Sequence, residues 1–383
     1  MKIVYLANVR IPTEKAHGHQ IMKMSGVFSD LVEVELVVPT RRNPDFKDQD
    51  PFDYYRIKRK FKIKRLRSFD PTFLLKTISG LYIKVQALCF FVPVAFYLYK
   101  LRKQDFFIYT RDEYLLPLLS FLKRQIVWEG HALPSNLKKY VKYFNNCHRL
   151  VVLTGQMKKQ LVEAGVAENK ILVSPDAVDL NVFDINLSKE KARQKLDLPQ
   201  DKFVLCYTGN FKTKGMDKGI KDIIQALSLL NQEIVFVAVG GGQADIQEYR
   251  NQAKALGAEG RVILRGKVSQ ADLAIYQKAA DVLMMPFPYA KHYAYYMSPL
   301  KMFEYMAGKC PILTTDLPTI KEILTDETAC IVEPDQPEQI AKGVEKLKQN
   351  ADYAKLIANN AYNLVQEYTW EKRAEKIINY IKI

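Results

Sequence analysis

Ser298-Pro-Leu-Lys-Met-Phe-Glu-Tyr-Met-Ala-Gly-Lys-Cys-Pro-Ile-Leu-Thr-Thr-Asp316 reads as a helix opened by a serine, closed by Gly308 and followed by the apolar run of a buried strand. Ser298 is predicted to cap, and Pro299 suits the first helical position, which leaves the amides of Leu300 and Lys301 without intrahelical acceptors. The helix dipole and the Lys301 side chain add positive potential there, so a phosphate or diphosphate is the expected ligand. Glu304 follows one turn later, with Phe303, Met306 and Ala307 on the apolar face. Its carboxylate has two readings, an acceptor for both hydroxyls of a ribose or a surface partner of Lys301.

Outward from this stretch, short apolar runs alternate with helical patterns, as in parallel sheets covered by helices. Strands are expected at 2–6, 34–38, 106–109, 125–129, 150–153 and 171–173. After the polar segment 186–201 they resume at 203–208, 234–239, 262–264, 282–285, 311–314 and 329–332. The expected fold class is therefore α/β, with two Rossmann-like doubly wound domains, 1–185 and 186–365. Ligands of such sheets sit at the carboxyl ends of the strands. An amphipathic helix at the end, with Thr369 as its cap, closes the chain.

The 383 residues have room for two cores, and the net charge is +15. Up to Asp184 there are 30 basic and 18 acidic residues, so nearly all the excess lies in the first half. It concentrates in 56–67, Arg-Ile-Lys-Arg-Lys-Phe-Lys-Ile-Lys-Arg-Leu-Arg, ahead of the apolar stretch 73–101. Basic side chains interleaved with apolar ones suit an anionic membrane surface; a solvated loop before a core helix is the plainer reading. Nucleic acid is not expected as a partner, since the block carries no recognised motif and few aromatic platforms. A membrane-spanning helix is not expected either, because the most apolar run, 85–99, is short, contains Pro93 and lies between Lys84 and Lys100. Five scattered cysteines and an N-terminus without a signal-peptide pattern suit a reducing cytoplasm.

Further candidates stand at strand ends. Gly209 and Asn210 follow the strand 203–208, and a lysine beyond them, Lys218 of Lys218-Gly219 or Lys214 of Lys214-Gly215, is placed to offset charge on a diphosphate. Gly240-Gly-Gly242 after 234–239 lacks the spacing of a dinucleotide fingerprint and reads as a tight turn. In the first half, Ala16-His17-Gly18-His19 follows the first strand and is expected to precede a helix, with Gly18 letting backbone approach a ligand. His17 and His19 have no carboxylates at metal spacing, so no metal is expected. Trp128-Glu129-Gly130-His131 ends one strand and Tyr109-Thr-Arg111 another.

The run from Tyr295 through Ser298-Pro299-Leu300-Lys301 to Ala307, then Pro311-Ile-Leu-Thr-Thr-Asp-Leu-Pro-Thr-Ile-Lys-Glu322, resembles the donor site of retaining glycosyltransferases of family 4, which have the GT-B fold. The resemblance implies two domains facing each other across a cleft, with the final helix, 366–383, crossing back to the first. It assigns the nucleotide-sugar diphosphate to the helix start at Ser298, Pro299, Leu300 and Lys301, and the ribose to Glu304. The transferred sugar falls to His131 and the nucleotide base to backbone near Val268. Lys218 fits the family's Lys-Gly register better than Lys214, although the loop is then longer than usual, and Asn210 stands where an arginine is common. Gly18 falls on the donor side; His17, His19 and Arg111 fall on the acceptor side. Tyr296 occupies the place where many members carry a further glutamate for the sugar. The implied activity is metal-independent transfer from a nucleotide sugar to a glycan or lipid-linked acceptor in cell-surface polysaccharide or glycolipid synthesis, in the cytoplasm or peripherally on the inner face of the membrane. Two rivals remain: a nucleotide-sugar epimerase of the same fold, for which Glu129 is the nearest carboxylate, and a basic membrane or nucleic-acid adaptor with a degenerate donor site.

Overall fold

The computed structural model describes residues 1–383 apart from 42, 44, 45, 47, 73–80, 123 and 214. The chain forms two compact units, Met1–Pro175 with Trp370–Ile383, and Asp176–Thr369.

The first unit is a parallel sheet of seven strands: β1 (Lys2–Leu6), β2 (Glu33–Pro39), β3 (Lys62–Leu66), β4 (Phe107–Thr110), β5 (Ile126–Gly130), β6 (Arg149–Val152) and β7 (Ile171–Val173). Their order is β3-β2-β1-β4-β5-β6-β7. The chain starts in the middle and works outward in both directions, so the connections diverge between β1 and β4, where a doubly wound sheet opens a crevice. β1, β4 and β5 are buried on both faces, which is why they read as continuous apolar runs.

β3 corrects the sequence reading. Five of the twelve residues of the basic block form an edge strand in parallel register with β2, Lys62 facing Glu35 and Lys64 facing Val37. Only Ile63 and Leu66 of its five side chains turn inward to any extent. Charged residues suit an edge, where they discourage pairing with a further strand. Several of the block's charges are already engaged: Arg59 pairs with Asp50 at 2.7 Å, Lys60 with Asp30, and Arg65 donates to the Ile11 carbonyl at 2.9 Å.

The second unit repeats the plan with β8 (Phe203–Thr208), β9 (Lys212–Thr213), β10 (Met216–Asp217), β11 (Ile234–Val239), β12 (Val262–Arg265), β13 (Val282–Met285), β14 (Ile312–Thr315) and β15 (Cys330–Val332). Six of them form a parallel sheet in the order β12-β11-β8-β13-β14-β15, while β9 and β10 make a small antiparallel hairpin. Along β8, Val204 and Cys206 join the apolar layer on one face while Leu205 and Tyr207 join that on the other. The divergence point falls between β8 and β13.

The hairpin is the longer loop foreseen after Gly209, and its far end is anchored. Asp217 accepts from the Gly219 amide at 2.6 Å and from the Tyr249 hydroxyl, and its carbonyl accepts from Tyr293 at 3.0 Å.

Candidate functional site

In the second unit, the divergence point collects most of the residues singled out from the sequence. Gly209 ends β8 with φ +109°, and Gly219 opens the helix Ile220–Leu227 with φ +91°. A Cβ on Gly219 would lie 1.8 Å from the Pro286 carbonyl oxygen, so only glycine lets this turn pack on the end of β13. Lys218-Gly219 immediately precedes this helix. Lys214 lies outside the described residues.

The helix Leu300–Ala307 begins one residue later than expected. Pro299 occupies the cap position and no side chain caps it. The Ser298 hydroxyl instead accepts from the amide of Asp176 at 2.9 Å, a partner 122 residues away that local sequence does not disclose. The amides of Leu300 and Lys301 thus open the helix without a side-chain acceptor.

Lys301 is the least ordinary residue here. It is buried, and its Nζ has no hydrogen-bond partner among the described residues. It sits 3.3 Å from the centre of the Tyr207 ring and 5.7 Å from that of Phe287, and a Cβ on Gly209 would come within 3.5 Å of it. The ring faces offset part of the lost hydration. Burial and then the charge of Lys218 hold the Lys301 ammonium well below its ordinary range. Burial likewise pushes Lys218 down to about 8. Two desolvated lysines beside a helix start are groups that an anion with more than one charge could neutralise.

Glu304 is half-buried. Burial pushes its carboxyl up to about 7, with Lys301 acting in the opposite sense. No hydrogen bond or ion pair engages its side chain among the described residues, so the reading as a surface partner of Lys301 does not hold. Asn210 is exposed; its carbonyl accepts from the Tyr207 hydroxyl at 2.9 Å. Val268, 37 % exposed, follows β12 by three residues.

In the first unit the candidates divide. Gly18 lies inside the helix Ala16–Ser29 rather than before it. A Cβ there would meet the Tyr55 hydroxyl at 2.4 Å and Thr13 Cγ2 at 2.5 Å. Its bare Cα thus accommodates Tyr55, whose hydroxyl accepts from the Thr13 amide at 2.7 Å and donates to the Thr13 carbonyl at 2.8 Å. His17 is half-buried; burial, then Arg111 and Lys15, push it down to about 4. The His19 ring lies 6.2 Å from that of Tyr55. Arg111, just past β4, donates to Gln20 at 3.1 Å.

His131 follows β5 and belongs to a buried network. Its Nε2 is 2.7 Å from Glu129 Oε1, which also receives Arg373 Nη2 at 2.8 Å, while Tyr109 donates to Oε2. Burial opposes ionisation of Glu129, but Arg373 and His131 outweigh it and hold the carboxyl well below its usual range. Burial, reinforced by Arg111, pushes His131 down to about 3 against the pull of Glu129. An ionised Glu129 only accepts, so the neutral imidazole carries its proton on Nε2 and presents Nδ1 as an acceptor.

Arg373 was not singled out from the sequence. It lies on the final helix, Trp370–Lys382, and also donates to the Pro175 carbonyl at 2.7 Å. No local pattern marks it, since its partner is 244 residues away. Among the described residues there is no group of three or more histidine, cysteine, aspartate or glutamate side chains placed to hold a metal ion.

Known proteins share this plan. Residues 188–364 match the family described as glycosyl transferases group 1. An uncharacterized glycosyltransferase of Methanocaldococcus jannaschii is 25 % identical over 252 residues, 64 % of this chain and 62 % of that protein. A D-inositol 3-phosphate glycosyltransferase of Streptosporangium roseum is 26 % identical over 239 residues, 60 % of this chain and 53 % of that one. The chain thus spans less than two thirds of the length of these two relatives. Among solved structures, Anabaena Alr3699/HepE in complex with UDP superposes with a TM-score of 0.76 at 18 % identity, covering all of both chains. At that identity the likeness establishes the fold. The chain has the GT-B fold, and its residues 188–364 match the glycosyl transferases group 1 family.

Proposed function

We propose that the chain is a retaining, family 4 type enzyme moving a sugar from a nucleotide-sugar donor to a glycan or lipid-linked acceptor. The observation that carries this is the buried, unpartnered ammonium of Lys301 beside Lys218, at the carboxyl end of β8. A diphosphate would satisfy both lysines and the amides opening the Leu300–Ala307 helix, with Glu304 accepting from the ribose hydroxyls. That Alr3699/HepE was solved with UDP bound supports the assignment.

As the bond from the anomeric carbon to the diphosphate breaks, negative charge accumulates on the phosphate oxygens, and the two lysines stabilise it. The acceptor oxygen bonds to the same carbon from the same face while its proton passes to a donor phosphate oxygen, so no enzymic nucleophile is needed. We assign the Nδ1 of His131 to a hydroxyl of the transferred sugar, Gly209 and backbone near Val268 to the nucleotide, and Arg111, His17 and His19 to the acceptor side. Charge compensation by lysine is the basis for expecting no resident metal. A cytoplasmic reaction, feeding cell-surface polysaccharide or glycolipid synthesis, fits a nucleotide-sugar donor.

The epimerase reading is weakened by Glu129, whose two carboxylate oxygens are taken by Arg373, His131 and Tyr109. A panel of nucleotide sugars, scored by thermal protection and by release of nucleoside diphosphate, tests the proposal. Protection by a bare diphosphate but by no nucleotide sugar would favour the degenerate adaptor; failure of both would remove the donor site.

A further inference from the structure

The helix Leu81–Lys100 is apolar on all sides yet buried on one. Ala87, Phe90, Val94 and Leu98 are buried, whereas Leu88, Val92, Phe96 and Tyr99 are 50 %, 50 %, 69 % and 64 % exposed. At about 100° per residue these sets fall on roughly opposite faces. An all-apolar helix is normally enclosed by protein or by lipid. Only 22 % of its apolar window is enclosed by protein. The helix is long enough to cross a bilayer, but its inner face packs on the first unit, so it presents one side only.

Charge frames this face. Lys84 and Lys100 are exposed near the two ends of the helix. Lys64 of β3 reaches over the Tyr97 ring at 5.9 Å, and strand alternation puts the exposed Lys62 on the same side of the sheet as Lys64. Unlike Arg59, Lys60 and Arg65, these four lysines have no ion pair or hydrogen bond among the described residues. An apolar stripe bordered by unpaired cations matches the boundary between acyl chains and anionic headgroups.

We propose that the helix Leu81–Lys100 lies flat in the surface of an anionic bilayer, with Leu88, Val92, Phe96 and Tyr99 inserted and Lys62, Lys64, Lys84 and Lys100 on the headgroups. This moves the membrane contact from the basic block alone to the helix beside it, and it stands apart from the donor assignment.

Co-sedimentation with phosphatidylcholine vesicles, with and without phosphatidylglycerol, tests it across a salt series. Wild-type protein is expected to bind only the anionic vesicles and to weaken as salt rises. Changing Lys62, Lys64, Lys84 and Lys100 together to glutamine is expected to lower binding at low salt about a hundredfold or more. Leu88→Ser, Val92→Ser and Phe96→Ser together should lower it about as far while leaving the thermal midpoint unchanged, because these side chains are exposed. Emission from Phe96→Trp should shift to the blue only with anionic vesicles. Three results would overturn the proposal: no vesicle binding by the wild type, equal binding by the serine variant, or a wild-type dimer that the serine variant abolishes.

Discussion

Replacing Lys218 by methionine separates binding from folding. In the unliganded protein this ammonium is a burden: burial lowers it from 10.5 to about 8, a difference worth roughly 3 kcal/mol at 1.36 kcal/mol per unit. A lysine depressed in the folded state is protonated more readily in the unfolded chain between those values. The unliganded protein should therefore gain stability as pH rises from about 8 towards 10.5. Lys218→Met removes the share of that dependence due to Lys218, leaving the share of Lys301, and relieves the repulsion on Lys301, so the variant should melt no lower than wild type at pH 7. Its affinity for a nucleoside diphosphate should nonetheless fall by about 10- to 150-fold, the worth of a charge-assisted hydrogen bond of roughly 1.5–3 kcal/mol. Calorimetric titration with UDP and other nucleoside diphosphates over pH 6–10 is the assay. Wild-type affinity should decline as pH passes about 8, and in Lys218→Met that step should disappear, because the group that titrates there is gone. A variant that binds as tightly as wild type, or one that simply unfolds, would refute the reasoning.

Lys214→Ala should lower turnover far less than Lys218→Ala; the reverse order would show that the hairpin, not the Lys218-Gly219 turn, delivers the catalytic charge. Glu304→Gln should weaken nucleotide binding by roughly 1.5–3 kcal/mol when measured above pH 7. Because the carboxyl is raised from 4.5 to about 7, wild-type stability should fall between those values as pH rises, and Glu304→Gln should abolish that fall in a thermal melt. His131→Ala should slow transfer while leaving diphosphate affinity intact; equal losses in both would mark a structural histidine. Glu129→Gln should cost about 3–5 kcal/mol in chemical denaturation, since it strands the Arg373 charge in a buried place.

Much of the architecture was legible because parallel strands buried on both faces leave long apolar runs. β1, β7, β8, β11 and β13 lie where the sequence puts them. Elements whose side chains face water escaped notice. β3 carries three exposed cations on five residues and reads as a loop. β9 and β10, two residues each, have no period to detect. At the site, local spacing was enough to name Lys301 and Glu304 as candidates, while the choice of Lys218-Gly219 over Lys214-Gly215 rests on the family resemblance. Long-range bonds were not legible: the hydroxyl of Ser298 is taken by Asp176, and Arg373 reaches Glu129 from the far end of the chain. A helix start one turn early likewise turned Gly18 from a loop glycine into a packing contact with Tyr55.

The tie between Glu129 and Arg373 also imposes a timetable. During synthesis the carboxylate of Glu129 leaves the ribosome 244 residues ahead of the guanidinium that neutralises it. At about 5–20 residues per second the interval is roughly 12 to 50 seconds. Throughout it, the strand Ile126–Gly130 carries a charge that burial opposes and that His131, Tyr109 and the charge of Arg111 attend without Arg373. The segment Asp176–Thr369 is made whole within that time and is free to fold first. The portion of the protein translated earliest is therefore the one completed last.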